Sequence, residues 1–271
     1  MRRYALNPAM PVLSRPDGAV QVGWDPRRAV LVRPPSGLTC AALAELLRSM
    51  HSASTLAELN ARFEIDAGEL IASLVEAGVV TVSERRRRRS ASIRIHGRGP
   101  LSDLLAGALR CSSARVSQSN LTKAAPPEST DLVVLSDFLI ADPRVVRELH
   151  AARVAHLPVR VRDGVGLVGP LVIPAVTSCL DCADLHRSDR DAAWPAIAAQ
   201  LRDTVGTADR ATVLATAALA LNQVDRVIRS VCDGLGVAAD KPPTLDTTLE
   251  FDVNAGAVVA RRWSRHPRCW C

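Results

Sequence analysis

The pattern of hydrophobic and polar positions divides the chain into two segments of different character. The first runs to Glu84 and opens with three short extended stretches. Pro11–Arg15 and Ala19–Trp24 flank a turn at Pro16–Gly18, and Ala29–Arg33 follows a turn at Asp25-Pro26 and is stopped by Pro34-Pro35. Three patterns of helical period come next: Ala41–Met50 with Leu43, Leu46 and Leu47 on one face, Thr55–Phe63 with Leu56, Leu59 and Phe63, and Ala67–Ala77 with Leu70, Ile71, Leu74 and Val75. The last of these ends at Gly78, placed as a C′ glycine, and Val79–Val82 reads as a closing strand.

The second segment alternates strands with helices, which predicts a parallel sheet. Strand Ser92–His96 leads through Gly97-Arg98-Gly99-Pro100 into a helix that runs to Leu109. Strand Leu132–Leu135, helix Pro143–Ala155 and strand Pro158–Arg162 continue the alternation, and a turn at Asp163-Gly164 precedes strand Gly166–Leu171. Helical sequence at Trp194–Leu201 and a long apolar helix at Arg210–Cys232 follow, and a hairpin of Thr244–Asp252 against Ala257–Trp263 turns at Asn254-Ala255-Gly256. The expected organisation is a small winged-helix module over 1–84, an arginine-rich linker over 85–90 and an α/β domain over 91–271.

Composition changes this picture little. Of 271 residues, 48% are hydrophobic and only 3% aromatic, so the core must be built from aliphatic side chains. The net charge of +6 is mostly local, because the run Arg85–Arg89 supplies five of those charges. A nucleic-acid binder spreads its charge over one face, so that class is disfavoured. No stretch has the length and apolarity of a signal-peptide core or a membrane span, and a cytoplasmic protein is expected. In a reducing compartment its cysteines are thiols or metal ligands.

Two constellations carry candidate chemistry. Cys179-Leu180-Asp181-Cys182 and Cys269-Trp270-Cys271 together offer four thiolates, the donor set of a closed structural zinc site. A redox C-x-x-C is the alternative, but it needs a helix N-terminus and leaves the second pair unexplained. His266 and His186 are substitute ligands, and Cys40, Cys111 and Cys232 lie in apolar helical patterns that predict buried thiols. The second constellation is a weakened phosphate turn, Gly97-x-Gly99-x-x-Ser102. Ser102 replaces the third glycine, Pro100 removes a donor, and Ala114–Asn120 lacks an acidic residue to hold a ribose. Asp131, Asp137 and Asp142 cluster near the end of the next strand; Asp142 before Pro143 reads as a helix N-cap, which leaves Asp137 as a polar pocket residue. His96 and His150 have no evident partners, and no catalytic set emerges.

The stretch Gly169-Pro170-Leu171-Val172-Ile173-Pro174, then Thr177-Ser178-Cys179-Leu180-Asp181-Cys182, Arg187 and Trp194-Pro195, resembles the ThiF-like cyclodehydratase partner proteins of azoline-forming peptide biosynthesis, the thiazole/oxazole-modified microcin systems. The ending His266-Pro267-Arg268-Cys269-Trp270-Cys271 is similar to that family's C-terminal zinc half-site, and the first segment looks like its PqqD-like recognition element. The resemblance implies a degenerate relative of ubiquitin-activating adenylating domains, Rossmann-like, with a structural zinc ion. It implies that ATP chemistry belongs to a YcaO-type partner, while this chain binds a precursor's leader peptide, with no ATP expected here; a homodimer stays open. Gly97, Gly99 and Asp137 then mark a degenerate nucleotide site.

For the leader, Ala29–Arg33 is the expected sheet edge, with Val30 and Val32 on one face and Leu31 on the other. Leu70, Ile71 and Leu74 would form the neighbouring wall, unless they are simply core. An active adenylating enzyme and a winged-helix nucleic-acid binder are the alternative functions.

Overall fold

The computed structural model describes residues 2–84, 89–119, 130–237 and 239–271. The chain divides into two compact units, Met1–Arg87 and Arg88–Cys271. Arg85 to Arg88, most of the expected linker, and Asn120 lie outside the described residues.

In the first unit, β2 (Val12–Ser14), β3 (Val20–Val22) and β4 (Val30–Val32) form an antiparallel sheet in that order, which leaves β4 on an edge. Alternation sends Val20, Val22 and Val32 inward, whereas Leu31 is 56% exposed. Three helices complete the core. α1 (Cys40–Ser49) starts at Thr39, whose hydroxyl accepts from the Ala42 N–H, and α2 (Leu56–Phe63) starts in a capping box of Thr55 and Glu58. α3 (Gly68–Glu76) brings Ile71 and Leu74 onto Leu43, Leu46 and Leu47 of α1. One strand was not expected: β1 (Arg2–Leu6) pairs antiparallel with β5 (Val80–Glu84), Leu6 opposite Val80. Its short sequence carries little alternation, and it forms only because its partner arrives from the far end of the unit.

The second unit holds a mixed seven-stranded sheet. β7 (Arg115–Ser119), β6 (Ser92–His96), β8 (Leu132–Ser136) and β9 (Ala155–Arg162) are parallel neighbours in that order. β10 (Val165–Val168), β11 (Thr247–Asp252) and β12 (Ala257–Arg262) extend the sheet beyond β9 as antiparallel strands. Every residue of β8 is buried, which explains its unbroken apolar run. Leu132 and Val134 meet the core under α4 (Pro100–Leu109) and α8 (Arg210–Cys232), while Val133 and Leu135 face α5 (Pro143–Ala151) on the other side.

Helix α5 is shorter than its pattern predicted, because Ala152 closes it and Arg153 takes a left-handed conformation at φ 54°. The freed residues lengthen β9. Helix α6 (Leu180–Arg190), whose sequence is mostly polar, was not anticipated; it precedes α7 (Trp194–Leu201). Cys111 was expected to be buried but is exposed, because α4 ends before it; Cys40 and Cys232 are half-buried. No helix among the described residues is long and apolar enough to cross a membrane.

Leu105 on α4 is fully buried in the main core. Leu105→Ala should therefore lower stability by about 2–5 kcal/mol in urea denaturation, and a loss under about 1 kcal/mol would place it outside the load of the core.

Candidate metal centre and the closed nucleotide turn

The first cysteine pair is set by the start of α6. Cys179 is its N-cap, and its Sγ accepts from the Cys182 N–H at 3.4 Å. The preceding loop is fixed from both sides. Thr177 Oγ1 accepts from the Ile173 N–H at 2.9 Å, and Asp246 accepts from the Ser178 N–H at 2.6 Å and from its hydroxyl at 2.7 Å. Asp246 also receives the Trp263 N–H on its carbonyl at 2.7 Å, which ties this loop to the end of β12.

From there the tail returns to α6. The His266 N–H donates to Cys182 Sγ at 3.3 Å. Its ring is pinned at both nitrogens: Nδ1 accepts from the Arg268 N–H at 3.1 Å, so Nε2 carries the proton and donates to Asp189 at 2.8 Å. The Arg268 guanidinium lies on the same carboxylate. Hydrogen bonding from His266 and the charge of Arg268 hold the Asp189 carboxyl below its usual range.

The result is a cluster of four sulfurs. Cys179 and Cys182 lie 3.8 Å apart, Cys179 and Cys269 3.5 Å, and Cys182 and Cys271 3.4 Å, with all four within 4.8 Å of one another. Disulfides need about 2.05 Å, and all seven cysteines are free thiols. Four thiolates at about 2.3 Å from a tetrahedral ion stand roughly 3.8 Å apart, so the donor set fits an ion such as zinc with little movement. Burial pushes the Cys179 thiol well above its ordinary range and Cys271 up to about 11. Burial acts upward on Cys182 too, but hydrogen bonds from backbone N–H groups outweigh it and hold that thiol low. His266 and His186 are not in the sulfur set. They form a neighbouring group with Asp189, in which Arg268 already supplies the positive charge.

C-x-x-C at a helix N-terminus meets one condition of redox chemistry. The second pair, at 3.4–3.5 Å, makes the four-sulfur cluster the fuller description.

The glycine turn is built differently from its sequence reading. Gly99 has φ 156°, and a Cβ there would stand 2.7 Å from Asp137 Oδ1. A Cβ at Gly97 would stand 2.3 Å from the Ser136 carbonyl oxygen. Both glycines thus permit close approach, but to the protein's own chain. The Leu101 and Ser102 N–H groups at the start of α4 donate to the Asp137 carboxylate at 2.9 and 3.1 Å, and the Ser102 hydroxyl adds a short bond. Asp137 is 1% exposed and sits in a left-handed conformation at φ 72°. The expectation of a polar pocket residue is corrected: its carboxylate caps α4 from inside the unit. Asp142 caps α5 through the Arg144 N–H at 2.8 Å, and Asp131 accepts from the Ser92 N–H at 2.8 Å and from Arg89. His96 contacts the Ser119 hydroxyl at 3.3 Å; His150 and His156 pack edge to face, and neither Nε2 has a hydrogen-bond partner among the described residues.

In the first unit, Val30, Leu31 and Val32 do form an edge strand. Ile71 and Leu74 are core residues and cannot wall a surface groove, whereas Leu70 is half-buried. Sequence reasoning missed Asp246, Asp189 and the anchoring part of His266, because each works through a partner far away in sequence.

The sequence matches no family model and no curated protein. Its fold matches solved structures. A heterocyclase solved in complex with substrate and cofactor aligns over 100% of this chain and 39% of its own, with TM-score 0.65 and 16% identity. The heterocyclase TruD aligns over 100% and 42%, with TM-score 0.64 and 16% identity. Escherichia coli MccB with ATP aligns over 100% and 99%, with TM-score 0.59 and 13% identity. MccB is the microcin C7 biosynthetic enzyme and has also been solved with N-formylated MccA. The chain thus spans about two fifths of each heterocyclase, at 39% and 42%. At these identities the likeness establishes the fold, a mixed α/β architecture.

Cys179→Ser or Cys271→Ser should remove the metal and lower stability by more than about 3 kcal/mol, and a chelator should do the same to the parent protein. Metal binding must displace protons from thiols, so affinity should fall as pH falls. Metal retention that is unchanged between pH 8 and pH 5 under a competing chelator would contradict thiolate ligation. Gly99→Ala should cost about 1–3 kcal/mol by crowding Asp137, read as a lower denaturation midpoint.

Proposed function

We propose that this chain is a zinc-stabilised, leader-peptide-binding protein that presents a ribosomal precursor peptide for modification by a separate YcaO-type ATP-dependent enzyme, in azoline-forming cyclodehydration. The observation that carries this reading is the closed turn. The scaffold keeps the strand–glycine–helix arrangement in which a nucleotide's phosphates meet a helix N-terminus. Yet the donors at that terminus are engaged by the Asp137 carboxylate, and a phosphate would have to displace a buried anion. Peptide handling is retained in this reading and nucleotide chemistry is not. The similar structures include MccB with N-formylated MccA and a heterocyclase with its substrate, which supports a peptide as the ligand. The four-sulfur cluster supports zinc, because it leaves no open position and so acts as a structural clamp.

The first unit is read as a winged-helix, PqqD-like recognition module. A leader would add to β4 as a further strand, gaining main-chain hydrogen bonds at Val30–Val32 and a side-chain contact at the exposed Leu31. Leu70 is the α3 residue left to contribute to a wall.

Two measurements test this. Leu31→Pro removes an edge donor and should abolish binding of a labelled leader taken from the neighbouring precursor gene, while zinc content stays at the parent level. Equal affinity in both proteins would move the peptide off β4. Calorimetry with ATP should show no micromolar binding by this chain alone, and a micromolar Kd would favour the adenylating alternative.

A further inference from the structure

Arg160 is a half-buried charge of the second unit that no carboxylate holds by a hydrogen bond or ion pair among the described residues. It stands on β9 and lines a cavity of about 480 Å³ between the strands β9 to β12 and the helices α6 and α7. Arg162, Arg187 and Arg261 line the same cavity, together with Trp194 and Trp263. Arg190 lines it as well but is exposed, and three of the other four arginines have carboxylates. Arg187 donates to Asp184 at 2.8 Å and lies over the rings of Trp194 and Trp263, at 5.1 and 4.9 Å. Arg261 pairs with Glu250 at 2.8 Å, and Arg162 lies 3.8 Å from Glu250 and 3.7 Å from Asp163. Arg160 has no side-chain hydrogen bond or ion pair among the described residues.

The surroundings make this notable. Arg160 is half-buried, and burial together with repulsion from Arg187 and Arg162 brings its guanidinium down to about 10, against only partial relief from Asp184. It therefore stays charged at neutral pH. Asp184 is itself engaged by Arg187 and by the Trp194 Nε1–H at 3.2 Å. A partly desolvated cation that no carboxylate holds is unfavourable, and a guanidinium so placed can take an oxyanion through two parallel N–H donors. The space is sufficient, since the volume lies in the range of small-molecule sites. Leu139, Ile197 and Leu201 give the cavity an apolar flank.

We propose that this cavity binds a ligand through an oxyanion, a carboxylate or a phosphate, held by the guanidinium of Arg160, with the rest of the ligand against the apolar flank. The site is separate from the sulfur cluster and from the closed turn, and it does not depend on the peptide-binding reading. A carboxylate would come from an acidic peptide side chain or terminus, a phosphate from a phosphorylated small molecule.

The test uses the full chain carrying Trp24→Phe and Trp270→Phe, which removes the two tryptophans that are 80% and 102% exposed and leaves Trp194 and Trp263 to report. Inorganic phosphate and N-acetylaspartate are titrated separately, with sodium chloride at matched ionic strength as the control. At least one should give a saturable fluorescence change that chloride does not. Arg160→Met should weaken that binding by about tenfold or more, as expected for loss of a charge-assisted hydrogen bond. Arg226→Met, which removes a guanidinium paired with Asp240 elsewhere, should leave it unchanged. Tighter phosphate binding identifies a phosphorylated ligand, and tighter carboxylate binding an acidic peptide group. Because Arg160 has no protein partner to lose, Arg160→Met should not lower the ligand-free Tm. If that variant does not fold, Arg160→Lys, which keeps the charge but loses the planar fork, should still weaken binding. No saturable change with either probe, undiminished affinity in the Arg160 variant, or a lower Tm in a folded Arg160→Met protein would overturn the proposal.

Discussion

Four sulfurs gathered within 4.8 Å are the constraint on which the second unit depends. As thiolates they repel one another and need a cation at their centre; as thiols they leave the tail with weak contacts only. The sequence separations, 90 residues from Cys179 to Cys269 and 89 from Cys182 to Cys271, make this a long-range closure. Closing so long a loop costs conformational entropy that a local contact never faces. The neighbouring interactions lower that cost by ordering both partners first. Asp246 holds the loop before Cys179 against the end of the hairpin, and His266, Asp189 and Arg268 hold the tail against α6. An ion taken by the four sulfurs would fasten ends that are already close.

The same logic of an internal partner governs the glycine turn. A helix N-terminus has free N–H groups that attract an anion, whether it belongs to a ligand or to the chain. Here Asp137 supplies it from the end of β8, in a left-handed conformation that a non-glycine residue adopts at some cost. Compensation comes from its main chain, whose N–H donates to the Val159 carbonyl while its own carbonyl accepts from the Gly206 N–H, both at 3.0 Å. The glycines that in other proteins make room for phosphate make room here for a carboxylate. The strand–glycine–helix turn is thus kept while its helix N-terminus is filled from within.

Much of this was legible before the structure. Period and punctuation located the three helices of the first unit, the buried run of β8 and the long helix α8, because each is fixed by local pattern and by what it buries. The cysteine spacing put the four sulfurs in one cluster, since few other arrangements use two such pairs. What stayed hidden was set by distant partners. β1 exists only through β5, and α6 was obscured by its polar sequence and low apolar periodicity. Asp137 looked like a polar pocket residue because nothing in a sequence shows that a carboxylate meets helix N–H groups 35 and 36 residues away. Arg160 was passed over for the converse reason, since the absence of a partner is visible only when every neighbour has been placed.

The central claim is that the four cysteines form one closed metal site. X-ray absorption at the metal edge of protein purified without chelator tests it most directly. The account predicts zinc at about one equivalent, with a first shell of four sulfur scatterers at about 2.3 Å and no lighter atom. A shell containing nitrogen or oxygen, or protein that carries no metal, would contradict it.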